Sequence, residues 1–220
     1  MPTPPQRSRL LALTAAAFAL LLPACNLVAP AFYLIHGPEK VPQAYTLERD
    51  RPTVIFLDDR AGRISRGNLR ELLCAAAERE LLDRKALTKM LDSRAATAIA
   101  SREPRAEPMP IDEIGRGVNA EVVIYITPDS FELSPDGQTF QPTADLRVKV
   151  FDVAAGTRAW PEEREGYPLR VSVSTRQGAP PANAADIREA EEEFARVVGV
   201  RLAQLFYKHE RETASDLRRE

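Results

Sequence analysis

The chain has 220 residues, 44% of them hydrophobic, and a net charge of −2 from 30 basic and 32 acidic side chains. That near balance excludes a polybasic nucleic-acid or membrane-surface binder, and the length suits one domain with a sizeable core. Two cysteines and two histidines leave no basis for a disulfide framework.

Arg7 and Arg9 open the chain, no acid precedes Glu39, and an apolar run extends from Leu10 to Leu22 with only Thr14 polar. This is a positive n-region and a short apolar h-region, well under the roughly 20 residues that cross a bilayer. Leu22-Pro23-Ala24-Cys25 then resembles the bacterial lipobox, which implies cleavage before Cys25 and lipid on its thiol. The competing readings are an ordinary signal peptide cut near Ala24 and an uncleaved anchor. The small residue abutting a cysteine disfavours the first, and the short h-region disfavours the second. Removal of residues 1–24 takes two arginines and no acid, so 196 residues with net charge −4 remain. Asn26, rather than aspartate, follows the cysteine; by resemblance to enterobacterial lipoproteins this favours the outer membrane over the inner.

Residues 25–51 contain Pro30, Pro38 and Pro42 and read as a lipidated tether. Residues 52–208 read as a single globular domain, and the charge-mixed 209–220 as a disordered tail. "PTVIFLDD" (52–59) is a buried strand ending in two acids. In "GNLRELLCAAAERELLDR", Asn68 is the expected N-cap with Glu71 completing a capping box, and Leu69, Leu72, Leu73 and Ala76 share the core face. Cys74 within it reads as a small core hydrophobe. "ALTKMLDS" (86–93) predicts a short strand and "RAATAIASRE" a helix. "PMPIDEIGRGVNA" predicts a short helix with Asp112 and Glu113 in its first turn and Gly117 near its end.

"EVVIYITPDSFEL" is apolar on both faces from Val122 to Ile126, as a central strand requires. "SPDG" (134–137) is a turn, and "TADLRVKVFDV" alternates, with Leu146, Val148 and Val150 opposite Arg147, Lys149 and Phe151. A second turn at Ala155-Gly156 leads to Trp160. After "PEEREG", Leu169, Val171 and Val173 alternate as an edge strand. A last helix over about 184–208 is expected to bury Ile187, Ala190, Phe194, Val197, Leu202 and Leu205, with Glu189 to Glu193 near its positive end. The order predicts an α/β (α+β) two-layer sandwich: a mixed, largely antiparallel sheet with helices mainly on one face.

"IDEIGRGVNAEVVIYITPDSF" and "LRVKVFDVAAGTRAWP", the latter carrying D-x-x-x-G-x-x-x-W as Asp152, Gly156 and Trp160, resemble a group of periplasmic lipoproteins. That group includes LpoB and CsgG, and the amino-terminal domain of TolB is similar in architecture. The resemblance covers about 52–175. It implies an anchored envelope lipoprotein and does not supply the long alternating hairpins of a membrane pore.

His36 and His209 have no metal-ligand spacing, so neither a metal nor a cofactor is expected. Asp58 and Asp59 could form an acid–base pair, against the alternative of turn capping or pairing with Arg60 and Arg63. The "GRG" at 115–117 lacks the rest of a phosphate loop, and no nucleophile elbow occurs. Trp160 and Tyr167 flank Glu162, Glu163 and Arg164, a mixture suited to a partner surface; the alternative is a solvated loop with Trp160 in the core. The reading is a non-enzymatic envelope lipoprotein, held to the membrane through Cys25, that binds an envelope protein and no nucleic acid. It would serve cell-wall synthesis or another envelope assembly. The alternatives are an accessory lipoprotein of a transporter or secretion system, and a hydrolase using Asp58 and Asp59.

Overall fold

The structure is a computed structural model that describes residues 40–102, 108–173 and 181–210. Cys25, the leader and His36 lie outside the described residues. In chain order the elements are β1 (Lys40–Val41), β2 (Thr53–Leu57), α1 (Gly67–Asp83), β3 (Met90–Leu91), α2 (Ser93–Ala100) and α3 (Ile111–Gly117). Then come β4 (Val122–Glu132), β5 (Thr143–Asp152), β6 (Thr157–Trp160), β7 (Tyr167–Ser172), α4 (Ala184–Ala203) and β8 (His209–Glu210). The chain divides into two units. In one, β1 pairs with β8; the other runs from Pro42 to Lys208.

The sheet of the larger unit has the order β3-β2-β4-β5, and both β6 and β7 pair with the far edge of β5. β2 is parallel to β3 and β4, whereas the ladders of β5 with β4, β6 and β7 are antiparallel. Buried throughout, β2 has the near-continuous apolar sequence that a parallel strand covered on both faces needs. On one face Ile55, Ile124, Ile126, Val148 and Val150 pack with Leu69, Leu73 and Leu81 of α1 and Phe194, Val198 and Leu202 of α4. The short helices α2 and α3 cover part of the other face, where Val54, Phe56 and Val123 meet Ala96 and Ile114. This is the expected sandwich, with its two long helices on one side. Burying each large aliphatic chain contributes about 1.5–3 kcal/mol, so the long-helix layer dominates stability.

Local signals act largely as predicted. The N–H of Gly137 donates to Ser134 O at 3.1 Å with φ +68°, and Asp136 accepts from the N–H groups of Gln138 and Thr139 at 2.9 and 2.7 Å. Gly156 closes the next turn at φ +62°, where Asp152 accepts from Ala155 N at 2.9 Å. Asp92 caps α2 by accepting from Arg94 N at 2.9 Å. Cys74 is a free thiol, 4% exposed, and burial pushes its pKa up to about 12.

Four expectations are corrected. The N-cap of α1 is Arg66, without a side-chain bond, because Asn68 instead donates to Glu192 of α4 at 3.2 Å. The buried face of α4 is Phe194, Ala195, Val198, Gly199, Leu202 and Ala203, and Ile187 stays 43% exposed. Small residues at 195, 199 and 203, four apart, let α4 approach α1 closely, and that contact rotates the helix away from its bulkiest stripe. The first turn of α4 holds only Asp186, with Asn183 as cap, while Glu191 and Glu192 pair with Arg66. Residues 42–51, expected within the tether, belong to the compact unit: Leu47 is buried and Tyr45 packs on the core.

Gly117 is the last residue of α3, as expected, and both glycines of "GRG" are also close contact points. A β-carbon at Gly115 would sit 2.5 Å from Val153 Cγ2, and one at Gly117 2.6 Å from Ile99 Cδ1. The left-handed residue after the helix is Asn119, at φ +59°.

Candidate functional site

Asp58 and Asp59 leave the end of β2 in different directions. The Tyr125 hydroxyl donates to Asp58 Oδ2 at 2.8 Å, and Arg60 pairs with Oδ1 at 3.2 Å. Burial, then the bond to Asp58, raises the Tyr125 pKa. Asp59 is an internal strut with a side chain 1% exposed. It accepts from the backbone N–H groups of Arg63 and Ile64 at 2.7 and 3.0 Å and from Arg70 Nη1 at 3.0 Å. The two carboxylates are therefore occupied by separate partners, and turn capping accounts for Asp59. Arg63 contributes its backbone; the pairing cation is Arg70.

The region from Trp160 to Tyr167 has a geometry that spacing alone did not suggest. Val150 of β5 pairs with Trp160 and Val148 with Tyr167. β6 and β7 thus run end to end along one edge, as a single edge strand interrupted by the excursion 161–166. The excursion brings the two aromatic residues together on the long-helix face, where their rings stack at 4.8 Å. Tyr45 stacks on Trp160 at 5.6 Å, and Phe206 meets it edge-on at 6.3 Å. Both Trp160 and Tyr167 are half-buried, whereas Glu162, Glu163, Arg164 and Glu165 are exposed.

The excursion is anchored by a residue that sequence reading passed over. Arg158 donates from Nη1 to Arg164 O at 3.0 Å and from Nη2 to Glu162 O at 2.9 Å. Gly166 N donates to Glu163 O at 3.1 Å, and φ +98° at Gly166 returns the chain to the edge. Arg51 was equally silent. It pairs with Glu48, Glu121 and Asp152 at 3.3, 3.1 and 2.9 Å and so ties the β2 approach to the end of β5. Only a long-range pairing signal could have exposed either arginine.

Among the described residues no group of three or more His, Cys, Asp or Glu side chains is placed to hold a metal ion. No described helix is long and apolar enough to cross a membrane. The residues expected to form a partner surface lie in two settings, a half-buried aromatic stack and an exposed charged excursion braced by Arg158.

No protein-family model and no curated sequence matches the chain. Solved structures similar to it include a PelC dodecamer variant from Paraburkholderia phytofirmans, at 13% identity and TM-score 0.41, covering 74% of this chain and 96% of that one. Another is the lipoprotein GNA1162 from Neisseria meningitidis, at 10% identity and TM-score 0.37, with coverage of 67% and 96%. A third is the LpoB C-terminal domain from Salmonella enterica, at 10% identity and TM-score 0.33, with coverage of 58% and 84%. The lipoprotein group that residues 111–131 and 146–161 resemble is thus represented among the structures similar to this chain.

Proposed function

We propose that the chain is a membrane-anchored envelope lipoprotein whose α/β domain is a non-catalytic protein-interaction module. The observation that carries this reading is Leu22-Pro23-Ala24-Cys25, placed directly behind a basic n-region and a short apolar run. Each buried methylene of an acyl chain contributes about 0.8 kcal/mol, and one chain binds only marginally, so a diacylated or triacylated cysteine provides a stable anchor without a spanning helix. Asn26 favours the outer membrane.

Two features of the domain support a binding rather than a catalytic role. The Asp59 oxygens accept bonds from Arg63, Ile64 and Arg70, and Asp58 from Tyr125 and Arg60, which leaves neither poised as a general base toward a substrate. The exposed excursion 162–165 is held in one shape by Arg158, and a preorganised loop lowers the entropy cost of recognition. Mass spectrometry of the mature amino terminus tests the anchor: acylated Cys25 is the expected result. An unmodified soluble product beginning elsewhere would overturn the lipoprotein reading.

A further inference from the structure

The two edges of the large sheet are finished differently. At one, β3 is two residues long, and shortness is itself a protection against further pairing. At the other, β7 runs for six residues along β5 and has no strand on its far side among the described residues.

The register shows which backbone groups of β7 face outward. Val173 N donates to Pro142 O at 3.0 Å, and Leu169 stands opposite Leu146. In an antiparallel ladder the groups of alternate residues point to the same side, so those of Tyr167, Leu169, Val171 and Val173 are turned toward β5. The C=O of Pro168 and the N–H and C=O of Arg170 and Ser172 are turned away from it, without a backbone partner among the described residues. Pro168 takes an outward position, where its missing N–H removes no bond from the ladder to β5. On the long-helix side of the same strand, Leu169 and Val173 pack on the core but stay half-buried, so the apolar layer stops short of complete cover.

Charge on this edge selects the occupant. A second copy, paired about a two-fold axis at Arg170, would set two guanidinium groups directly opposite each other and Pro168 opposite Ser172. That pairing is repulsive and one hydrogen bond short. The Arg170 side chain is 74% exposed, its tie to Asp145 is long at 3.6 Å, and Asp145 also accepts from Ser130 Oγ at 3.1 Å. An acid on an added strand would therefore meet a loosely held cation at Arg170. The acids of the excursion, Glu162, Glu163 and Glu165, all precede Tyr167, beyond the far end of β7 from Ser172.

We propose that β7 is a docking edge for an extended segment of a protein partner. The segment adds as a further strand, with apolar residues toward the long-helix layer and an acidic residue opposite Arg170. This rests on the interaction-module reading and gives its mode. Main-chain bonds to Pro168, Arg170 and Ser172 supply affinity, and alternating side chains supply specificity.

The test is fluorescence anisotropy of labelled heptapeptides that alternate valine with polar residues, titrated with the purified protein in detergent. One peptide carries glutamate at its central polar position and the other lysine. Saturable binding is expected, at least twofold tighter for the glutamate peptide. Arg170→Pro removes an outward N–H without touching the ladder to β5. It is expected to weaken binding about tenfold, the equivalent of one hydrogen bond left unmade. N-methylation of the glutamate peptide at alternate residues needs no variant of the protein; one set of positions is expected to abolish binding and the other to leave it. Absence of saturable binding, indifference to the N-methyl positions, tighter binding of the lysine peptide, or a dimer of the protein that Arg170→Pro dissolves would each overturn the proposal. Equal recovery of envelope partners by the parent and by Arg170→Pro would overturn the edge while leaving the interaction-module reading in place.

Discussion

Gly199 of α4 lies against the carbonyl oxygen of Leu73 on α1, so closely that a β-carbon at 199 would overlap it. The same β-carbon would sit 2.8 Å from Ala76 Cβ and 3.1 Å from Ala77 N. The contact is with backbone, which cannot swing away as the tip of a side chain can. Gly199→Ala is therefore expected to destabilise the domain by about 2 kcal/mol or more, even though alanine is the better helix former. Chemical denaturation checks it; a stability equal to or above the parent would mean that α1 and α4 separate at little cost.

Lys85 supplies the opposite kind of backbone test. It is exposed and sits at φ +56°, just past α1, where its N–H donates to Leu82 O at 2.9 Å and that of Ala86 to Leu81 O at 2.9 Å. This is the left-handed residue that terminates the helix, a position where glycine is preferred. Lys85→Gly is expected to stabilise the protein by about 0.5–1 kcal/mol. A loss of stability in urea titration would show that glycine's freedom in the unfolded chain outweighs the relief at 85.

Asp58 and Asp59 should separate sharply on mutation. Asp59→Ala strands two backbone N–H groups and the Arg70 guanidinium, all at the root of the 59–64 turn. Losing a buried, multiply bonded carboxylate costs about 3 kcal/mol. Asp58→Asn keeps an acceptor for Tyr125 and is expected to cost under about 1 kcal/mol. Melting curves of both variants decide the ranking. Should Asp58→Asn abolish a measurable activity at unchanged melting temperature, the hydrolase alternative would displace the binding-module reading.

The charged excursion can be stripped without dismantling it, because Arg158 holds it through the carbonyls of Glu162 and Arg164 and not through their side chains. Glu162→Ala, Glu163→Ala and Arg164→Ala combined are expected to leave stability within about 1 kcal/mol. The triple variant is also expected to lose recovery of envelope partners from extracts. Native recovery would exclude the excursion as the interface.

Much of the fold was legible in short stretches. Period-two alternation from Leu146 to Phe151 assigned each β5 side chain to its face, and Ser134–Gly137 and Gly156 marked both turns that flank it. These signals are local: φ preference and pleat act within a few residues, whatever the remainder of the chain does. The lipobox proposed at Leu22-Pro23-Ala24-Cys25 is a reading of the same local kind, since a processing signal is read from an extended segment and needs no fold.

Other features were settled only by what packs against what. The moment of α4 favoured burying Ile187, but Gly199 against Leu73 fixed a seam of small residues toward α1 and turned Ile187 outward. Asn68 had the right spacing for a cap, and Glu192, 124 positions away, claimed its amide. The end-to-end alignment of β6 and β7, the stacking of Trp160 on Tyr167, and the brace by Arg158 all require β5 as a common template. Local propensity follows from residue type, but close approach and charge balance depend on neighbours that only the assembled sheet and helices supply.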